Sequence, residues 1–281
     1  MAAFDLDAVE TGIAGTRFSG RVVYHSSVGS TNALALEAAQ GGAADECVFV
    51  AEEQTAGRGR GGHAWHSAVG DGLYVTALVR PRMALTEALW LSLSTGLAVQ
   101  AAIASVTGLK ADLRWPNDLL LGGRKCSGIL VETAATAGTP AMLRYAAIGV
   151  GVNVNHAGFP TGLAKLATSL RQESGRIWER ERLLAALLCA LESEIGLLEV
   201  ELRHEATGAG LLERFAAAST WIRGKRVRVE EAGGYTGVTD GLDTRGFLRV
   251  AGDDGVLHTV LSGGVREQDE RASGRADAAG D

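Results

Sequence analysis

Cysteine is scarce in this chain, and so is an excess of positive charge. Cys47, Cys126 and Cys189 lie far apart, with no CxxC pair and no Cys/His cluster. Neither a disulfide frame nor a zinc site is expected, and a reducing compartment is. Lysine and arginine number 27 against 33 acidic residues, a formal charge of −6. Broad binding to a phosphate backbone calls for the opposite balance, so no nucleic-acid partner is expected. A basic, apolar leader is missing too: Asp5, Asp7 and Glu10 precede the first basic residue, Arg17. No secretory signal is read there, and the expected location is the cytoplasm. One uncharged run, Ala88 to Leu109, has a length that could span a bilayer. It contains Ser92, Ser94, Thr95, Gly96, Gln100, Ser105 and Thr107 among small alanines. A buried core helix is expected, with no membrane partner.

What remains is an ordinary globular balance over 281 residues, 46% apolar and 21% charged. That length holds one sizeable core and a small second module. Phe4–Ile13 reads as a short helix and Arg21–His25 as a strand. Ser30-Thr31-Asn32 offers an N-cap to a helix over Ala33–Gln40, which stops at Gly41-Gly42. Glu46–Ala51 and Leu73–Val79 read as buried strands, the second ended by Pro81. The segments Leu113–Trp115, Leu119–Leu121, Ser127–Glu132 and Tyr145–Asn153 form a meander. Their turns fall at Pro116-Asn117, Gly122-Gly123 and Gly138–Pro140. Helices over Trp178–His204 and Leu211–Ala218 follow, the first with an apolar stripe from Leu183 to Leu198. After Ser219 the pattern turns to short alternating strands, Arg226–Glu230, Tyr235–Leu242, Phe247–Val250 and Val256–Val260, as in a small β-barrel. The predicted organisation is a domain over 1–218, a barrel over 219–265 and a disordered tail over 266–281.

Three segments carry candidate chemistry. Gly57, Gly59 and Gly62 satisfy GxGxxG, but a dinucleotide site needs a helix directly after the glycines, and here the next element is the strand at Leu73. The same stretch reads better as a loop whose backbone and two arginines, Arg58 and Arg60, wrap a phosphate. On its own it is equally a mobile surface loop. The second segment sets Asn117 and Asp118 at a strand start and Lys125 on the return strand, where a lysine can hold an α-phosphate as a point charge. Its plain alternative is a Pro-Asn turn and a Gly-Gly hairpin. The third, Gly149-Val150-Gly151-Val152-Asn153, places glycines inside an apolar strand, which marks either close ligand approach or tight packing.

Together these segments resemble the biotin–protein ligase family. The resemblance is carried by Ser30-Thr31-Asn32, by Gln54 through Trp65 against QxxGRGRxGxxW, and by Arg114 through Asp118 against K/R-W-P-N-D. Lys125 with Gly128-Ile129-Leu130, and Gly149 through Asn153, complete it. The motifs fall in family order across roughly residues 20–170. The resemblance implies an α+β fold with a mixed or antiparallel sheet, a class II synthetase-like catalytic domain and a C-terminal SH3-like barrel. It implies the short type, without an N-terminal DNA-binding domain. The implied reaction joins biotin to ATP as biotinoyl-5′-AMP, with Mg²⁺ as activator. The biotin then passes to a lysine of the biotin carboxyl carrier domain of a carboxylase.

By the same resemblance, Ser30, Thr31, Asn32 and Gln54 contact the biotin ring. Arg58, Gly59 and Arg60 fold over biotin and the adenylate, Trp65 packs beside tail and adenine, and Lys125 meets carboxylate and α-phosphate. Gly128, Ile129, Gly149 and Gly151 are pocket walls. Asn117 and Asn153 join Arg60, Trp65 and Lys125 on the nucleotide side, and Asp118 is an orienter or base. His63 departs from the arginine or asparagine of the pattern. The implied assembly is a monomer or weak homodimer. Two rivals stay open: a lipoate or octanoate transferase, which lacks the Gly57–Arg60 loop, and a biotin-dependent repressor. The latter needs a helix-turn-helix module ahead of the first strand, where about twenty residues stand.

Overall fold

In the computed structural model, which describes residues 4–43, 46–203, 209–231, 233–262 and 264–268, two sheets organise the chain. Helix α1 (Leu6–Gly12) is capped by Asp5, whose carboxylate accepts from the Ala8 amide. Strand β1 (Val22–His25) and helix α2 (Thr31–Gln40) follow, then β2 (Val48–Ala51) and β3 (Gly72–Val79). Every residue of β3 is buried, as its unbroken apolar run requires. Helix α3 (Ala88–Thr107) takes the uncharged run. Next come β4 (Asp112–Arg114), β5 (Asp118–Leu121), β6 (Arg124–Ala135) and β7 (Leu143–Asn153). These strands form one seven-stranded mixed sheet in the order β1-β2-β3-β7-β6-β5-β4, in which only β1–β2 is parallel. The meander is thus present as read. Its β5–β6 turn has φ of +55° and +77° at Gly122 and Gly123, the glycine requirement of a two-residue hairpin.

Helix α3 is the one described helix long and apolar enough to cross a membrane by length and composition. Twelve of its residues are buried against the protein itself. Ser92 Oγ donates to the Pro116 carbonyl at 3.0 Å, and Gly96 lets Leu113 approach within 3.2 Å of where a Cβ would stand. Helices α4 (Leu170–Ser174), α5 (Arg180–Arg203) and α6 (Ala209–Ala217) follow. The stripe Leu183, Leu184, Leu187, Leu188, Leu191, Ile195 and Leu198 is buried, and α5 lies along α3. The five-residue α4 was not anticipated; it is too short to show a period.

Strands β8 (Arg223–Val229), β9 (Tyr235–Leu242), β10 (Leu248–Gly252), β11 (Leu257–Val260) and β12 (Val265–Glu267) form an antiparallel sheet in the order β11-β10-β9-β8-β12. The barrel expected over 219–265 is therefore an open sheet in its strand pairing. Strand β12 also corrects the expected tail: Arg266 and Glu267 pair with Arg228 and Val227 of β8. A charged edge strand carries no apolar signal, because its ladder is made by backbone. Residues 269–281, the rest of that tail, lie outside the described residues. Val227, Val229, Leu248, Val250 and Val260 join the same apolar cluster as Leu91, Leu113 and Phe215. Two indoles fasten the sheets: Trp90 Nε1 donates to the Arg245 carbonyl and Trp115 Nε1 to the Gly246 carbonyl, each at 2.9 Å. Gly246 has φ +89°, and a Cβ there would stand 3.0 Å from Leu93.

A buried ion pair closes the N-terminal end. Arg180 Nη2 lies 2.9 Å from Glu52 Oε1, their side chains 9% and 15% exposed. Tyr24 donates to Glu52 Oε2 at 2.7 Å, and Phe4 stacks on Tyr24 while also lying under the Arg180 guanidinium. Arg180→Ala leaves the largely buried Glu52 without a counter-charge, with Tyr24 as its remaining partner, which costs about 3–5 kcal/mol. Urea denaturation of Arg180→Ala and of Arg180→Met/Glu52→Gln should show the double variant recovering part of that loss.

After β7 the chain buries His156, 1% exposed, with Phe159 stacked on it at 4.9 Å and His66 tilted at 5.6 Å. Burial pushes its pKa from 6.5 down to about 4; the nearby Asp71 opposes this and His66 adds to it. An unfolded chain takes up this proton near pH 6.5 and the folded one only near 4. Stability therefore falls as pH drops through that window, by roughly 3 kcal/mol, and is unaffected above it. His156→Phe keeps the stack and should remove most of the loss between pH 7 and pH 4.5, read from denaturation midpoints.

Candidate active site

The site is built on a strip of sheet where three glycines leave the backbone bare. Strand pairing sets Gly128 opposite Gly151 and Leu130 opposite Gly149 on β6 and β7, and Tyr74 and Thr76 of β3 beside Gly151 and Gly149. A Cβ at Gly149 would stand 2.1 Å from Asn32 Oδ1, and one at Gly151 2.5 Å from the Trp65 indole. At Gly128 it would stand 2.9 Å from the same indole and 3.0 Å from the Lys125 stem. Asn32, Trp65 and Lys125 thus rest directly on backbone. Above the strip lies a cleft that opens to solvent and, solvent space included, spans about 430 Å³.

One end of the cleft is polar and uncharged. Thr31 and Asn32 are buried first-turn residues of α2, the first and second after the N-cap residue Ser30, whose side chain makes no capping bond. Ser30 holds the expected cap position through its backbone alone, and the Thr31 and Asn32 side chains are used elsewhere. Gln54 Oε1 accepts from the Thr31 amide at 2.9 Å and from Thr31 Oγ1 at 3.1 Å, while Gln54 Nε2 donates to Ser67 Oγ at 3.1 Å. Asn32 Nδ2 donates to the Leu130 carbonyl and to Glu132, at 3.2 and 2.9 Å. The fully buried Thr76 donates to Asn32 Oδ1 at 2.6 Å and lies 2.8 Å from Thr31 Oγ1.

The other end is cationic. Lys125 Nζ lies 2.5 Å from Asp118 Oδ1 and 5.3 Å above the Trp65 ring. Arg114 Nη2 meets Asp118 Oδ2 at 2.5 Å. Burial works against ionising Asp118, but the Lys125 and Arg114 charges outweigh it and hold the carboxyl below its usual range. The loop 57–65 is tied across its base, with Gly59 N donating to the His63 carbonyl at 2.7 Å and Trp65 N to that of Gly57 at 2.9 Å. Arg58 reaches Glu132 at 3.7 Å, and His63 is exposed. Burial lowers the pKa of Arg60, with the Asp118 and Glu231 charges opposing the shift. Arg60 Nη1 and Trp65 Nε1 are buried donors with no partner among the described residues. Such groups are costly unless a ligand completes them.

Every site residue named from the sequence lines this cleft except Asp118 and Asn153. Asp118 stands behind Lys125. Asn153 is buried, and its amide donates to the Lys125 and Thr168 carbonyls at 3.3 and 3.0 Å, fixing the strand that carries the lysine. Asn117 is in the lining and also donates to the Ile129 carbonyl at 2.8 Å. Val75, Leu130 and Val150 line it as well, and Thr76 and Glu132 stand just behind. Only Thr76 left a readable signal, the one small polar residue among the apolar and aromatic ones from Leu73 to Val79, whose hydroxyl must find a partner once buried.

A polar end beside a cationic end, on one glycine floor, suits a ligand that is neutral at one end and anionic at the other. Residues 24–153 match the biotin/lipoate A/B protein ligase family. The chain is 31% identical to the bifunctional ligase/repressor BirA of Bacillus subtilis (strain 168), over 84% of this chain and 70% of that protein. It is 35% identical to the biotin–[acetyl-CoA-carboxylase] ligase of Mycobacterium tuberculosis, over 85% of each. The biotin protein ligase from Aquifex aeolicus, solved in complex with biotin and ATP, superposes with a TM-score of 0.71 at 25% identity. The match covers 89% of this chain and all of that one. The chain belongs to the biotin/lipoate A/B protein ligase family. Gly151→Ala should displace Trp65 and weaken ligand binding about tenfold or more with little change in melting temperature, as calorimetry on the purified protein would show.

Proposed function

We infer that this protein is an ATP-dependent ligase that forms biotinoyl-5′-AMP and transfers biotin to a lysine of a biotin carboxyl carrier domain. The observation that carries this reading is the pairing, in one cleft, of the Ser30–Asn32/Gln54 end with the Arg58, Arg60 and Lys125 end. A cyclic urea offers two N–H donors and one carbonyl, and the first end holds acceptors and a free Ser30 hydroxyl to meet them. The second end suits a carboxylate and a phosphate brought together. In the first step a biotin carboxylate oxygen bonds to the α-phosphorus of ATP and pyrophosphate leaves. Two anions must approach, and Lys125, Arg58 and Arg60 offset their repulsion. Mg²⁺ bound with the nucleotide would supply charge neutralisation at the phosphates. Among the described residues no group of three His, Cys, Asp or Glu stands ready for a metal, so phosphate oxygens and water would supply most of its ligands.

In the second step the neutral amine of the carrier lysine attacks the acyl carbon, AMP leaves with the bonding pair, and the amine gives up a proton. Asp118 is a poor acceptor for it. Its carboxylate is committed to Lys125 and Arg114, and a lowered pKa makes it a weak base. We assign it the role of orienting Lys125, and Asn153 that of fixing the lysine's strand. The glycine loop shields the mixed anhydride. We place the boundary between catalytic and C-terminal modules near residue 219 and assign the second, through Glu267, an SH3-like character. A five-stranded antiparallel sheet of this size supports that, though its ladder is open. Three free thiols support a cytoplasmic location.

Biotin-dependent ATP–pyrophosphate exchange by the purified protein tests the reading, and exchange driven by lipoate instead would favour the rival transferase. In the same assay Lys125→Ala should lower adenylate formation about 10²–10³-fold while biotin affinity changes little, because its charge acts where charge develops. Equal losses in affinity and rate would make Lys125 a uniform-binding residue.

A further inference from the structure

We propose that Glu132 and Thr76 are positioning residues that set the hydrogen-bond polarity of the ring subsite, making it select a ligand with paired N–H donors. The proposal rests on the biotin reading above and concerns two side chains behind the cleft wall. The argument is a count of protons. A carboxylate and a backbone carbonyl only accept, so Glu132 and the Leu130 carbonyl together take both hydrogens of Asn32 Nδ2. Oδ1 of Asn32 must then face Thr76, whose single proton goes to it at 2.6 Å. Thr76 has no proton left for Thr31, although their hydroxyl oxygens are 2.8 Å apart. The Thr31 proton therefore fills that contact, with Gln54 Oε1 at 3.1 Å as its other acceptor among the described residues. In either direction the proton is spent inside the protein.

Thr31 Oγ1 and Asn32 Oδ1 consequently present lone pairs, and no donor, to the cleft. A ring that places N–H groups against them completes the wall. A ring with methyl or sulfur there leaves the cleft-facing lone pairs unmatched, although Asn32 Oδ1 keeps the Thr76 proton, and that asymmetry discriminates more strongly than shape. Glu132 has a second contact, Arg58 at 3.7 Å, which draws one loop arginine toward the same corner. Neither Glu132 nor Thr76 lines the cleft, so any effect they have on ligand choice passes through Asn32 and Thr31 and, for Glu132, also through Arg58.

The test is calorimetric binding of biotin and of a biotin methylated on a ring nitrogen, to wild type, Thr76→Val, Thr76→Ser, Glu132→Ala and Glu132→Gln. Melting temperatures verify the fold of each. Thr76→Val and Glu132→Ala should weaken biotin about ten- to a hundredfold, while the methylated analogue loses much less, so that selectivity collapses. Thr76→Ser and Glu132→Gln keep a hydroxyl and an acceptor and should stay within about threefold of wild type. Wild-type selectivity in Thr76→Val and Glu132→Ala, or equal losses for both ligands, would overturn the relay while leaving the ligase reading intact. A wild-type protein that binds no biotin would overturn that reading and the relay with it.

Discussion

Everything at this site depends on the absence of three β-carbons. At Gly128, Gly149 and Gly151 the sheet face is reduced to peptide backbone, so the Asn32 amide, the Trp65 ring and the Lys125 stem settle within ordinary contact of it. Any side chain on that strip would occupy the space of one of them. Because β6 and β7 pair in register there, the three glycines form a single patch rather than isolated gaps. The sheet supplies rigidity beneath, and groups from α2, the glycine loop and the β5–β6 hairpin supply the chemistry above.

That arrangement separates two electrostatic regimes within one cleft. The neutral end is a closed hydrogen-bond network in which nearly every proton is assigned by its neighbours. Such networks are rigid when fully satisfied and destabilising when broken. The cationic end is only partly neutralised. Asp118 answers Lys125 and Arg114, while buried donors on Arg60 and Trp65 keep no partner among the described residues. A ligand that is neutral at one end and anionic at the other meets both conditions at once.

Much of this was legible in the sequence, for reasons that differ by element. The meander was readable because Gly122-Gly123 and Gly138–Pro140 punctuate apolar runs, and α5 because seven apolar residues keep its period. The site motifs were readable because glycines and arginines at fixed offsets are costly to place without cause. Thr31 and Asn32 were misread in part: as N-cap types they suggested a helix start one or two residues later, but tertiary partners recruit them into the first turn. The edge strand β12 was read as tail because its pairing lives in the backbone. Glu132 could not be found at all, since a glutamate on a strand ordinarily faces solvent, and only the fold brings it to Asn32.

The Trp115 indole has a consequence beyond stability. It stands one residue before Pro116-Asn117-Asp118, and its N–H is bonded to the carbonyl of Gly246 across the two sheets. The turn that carries Asn117 and Asp118 is thereby moored to the C-terminal sheet at a point where only a left-handed glycine fits. The two sheets are consequently not interchangeable parts. A chimera that replaces the C-terminal sheet with a foreign one would have to reproduce one carbonyl and one glycine in place. Without them the graft would loosen the footing of Lys125 through Asp118, however well its own strands folded.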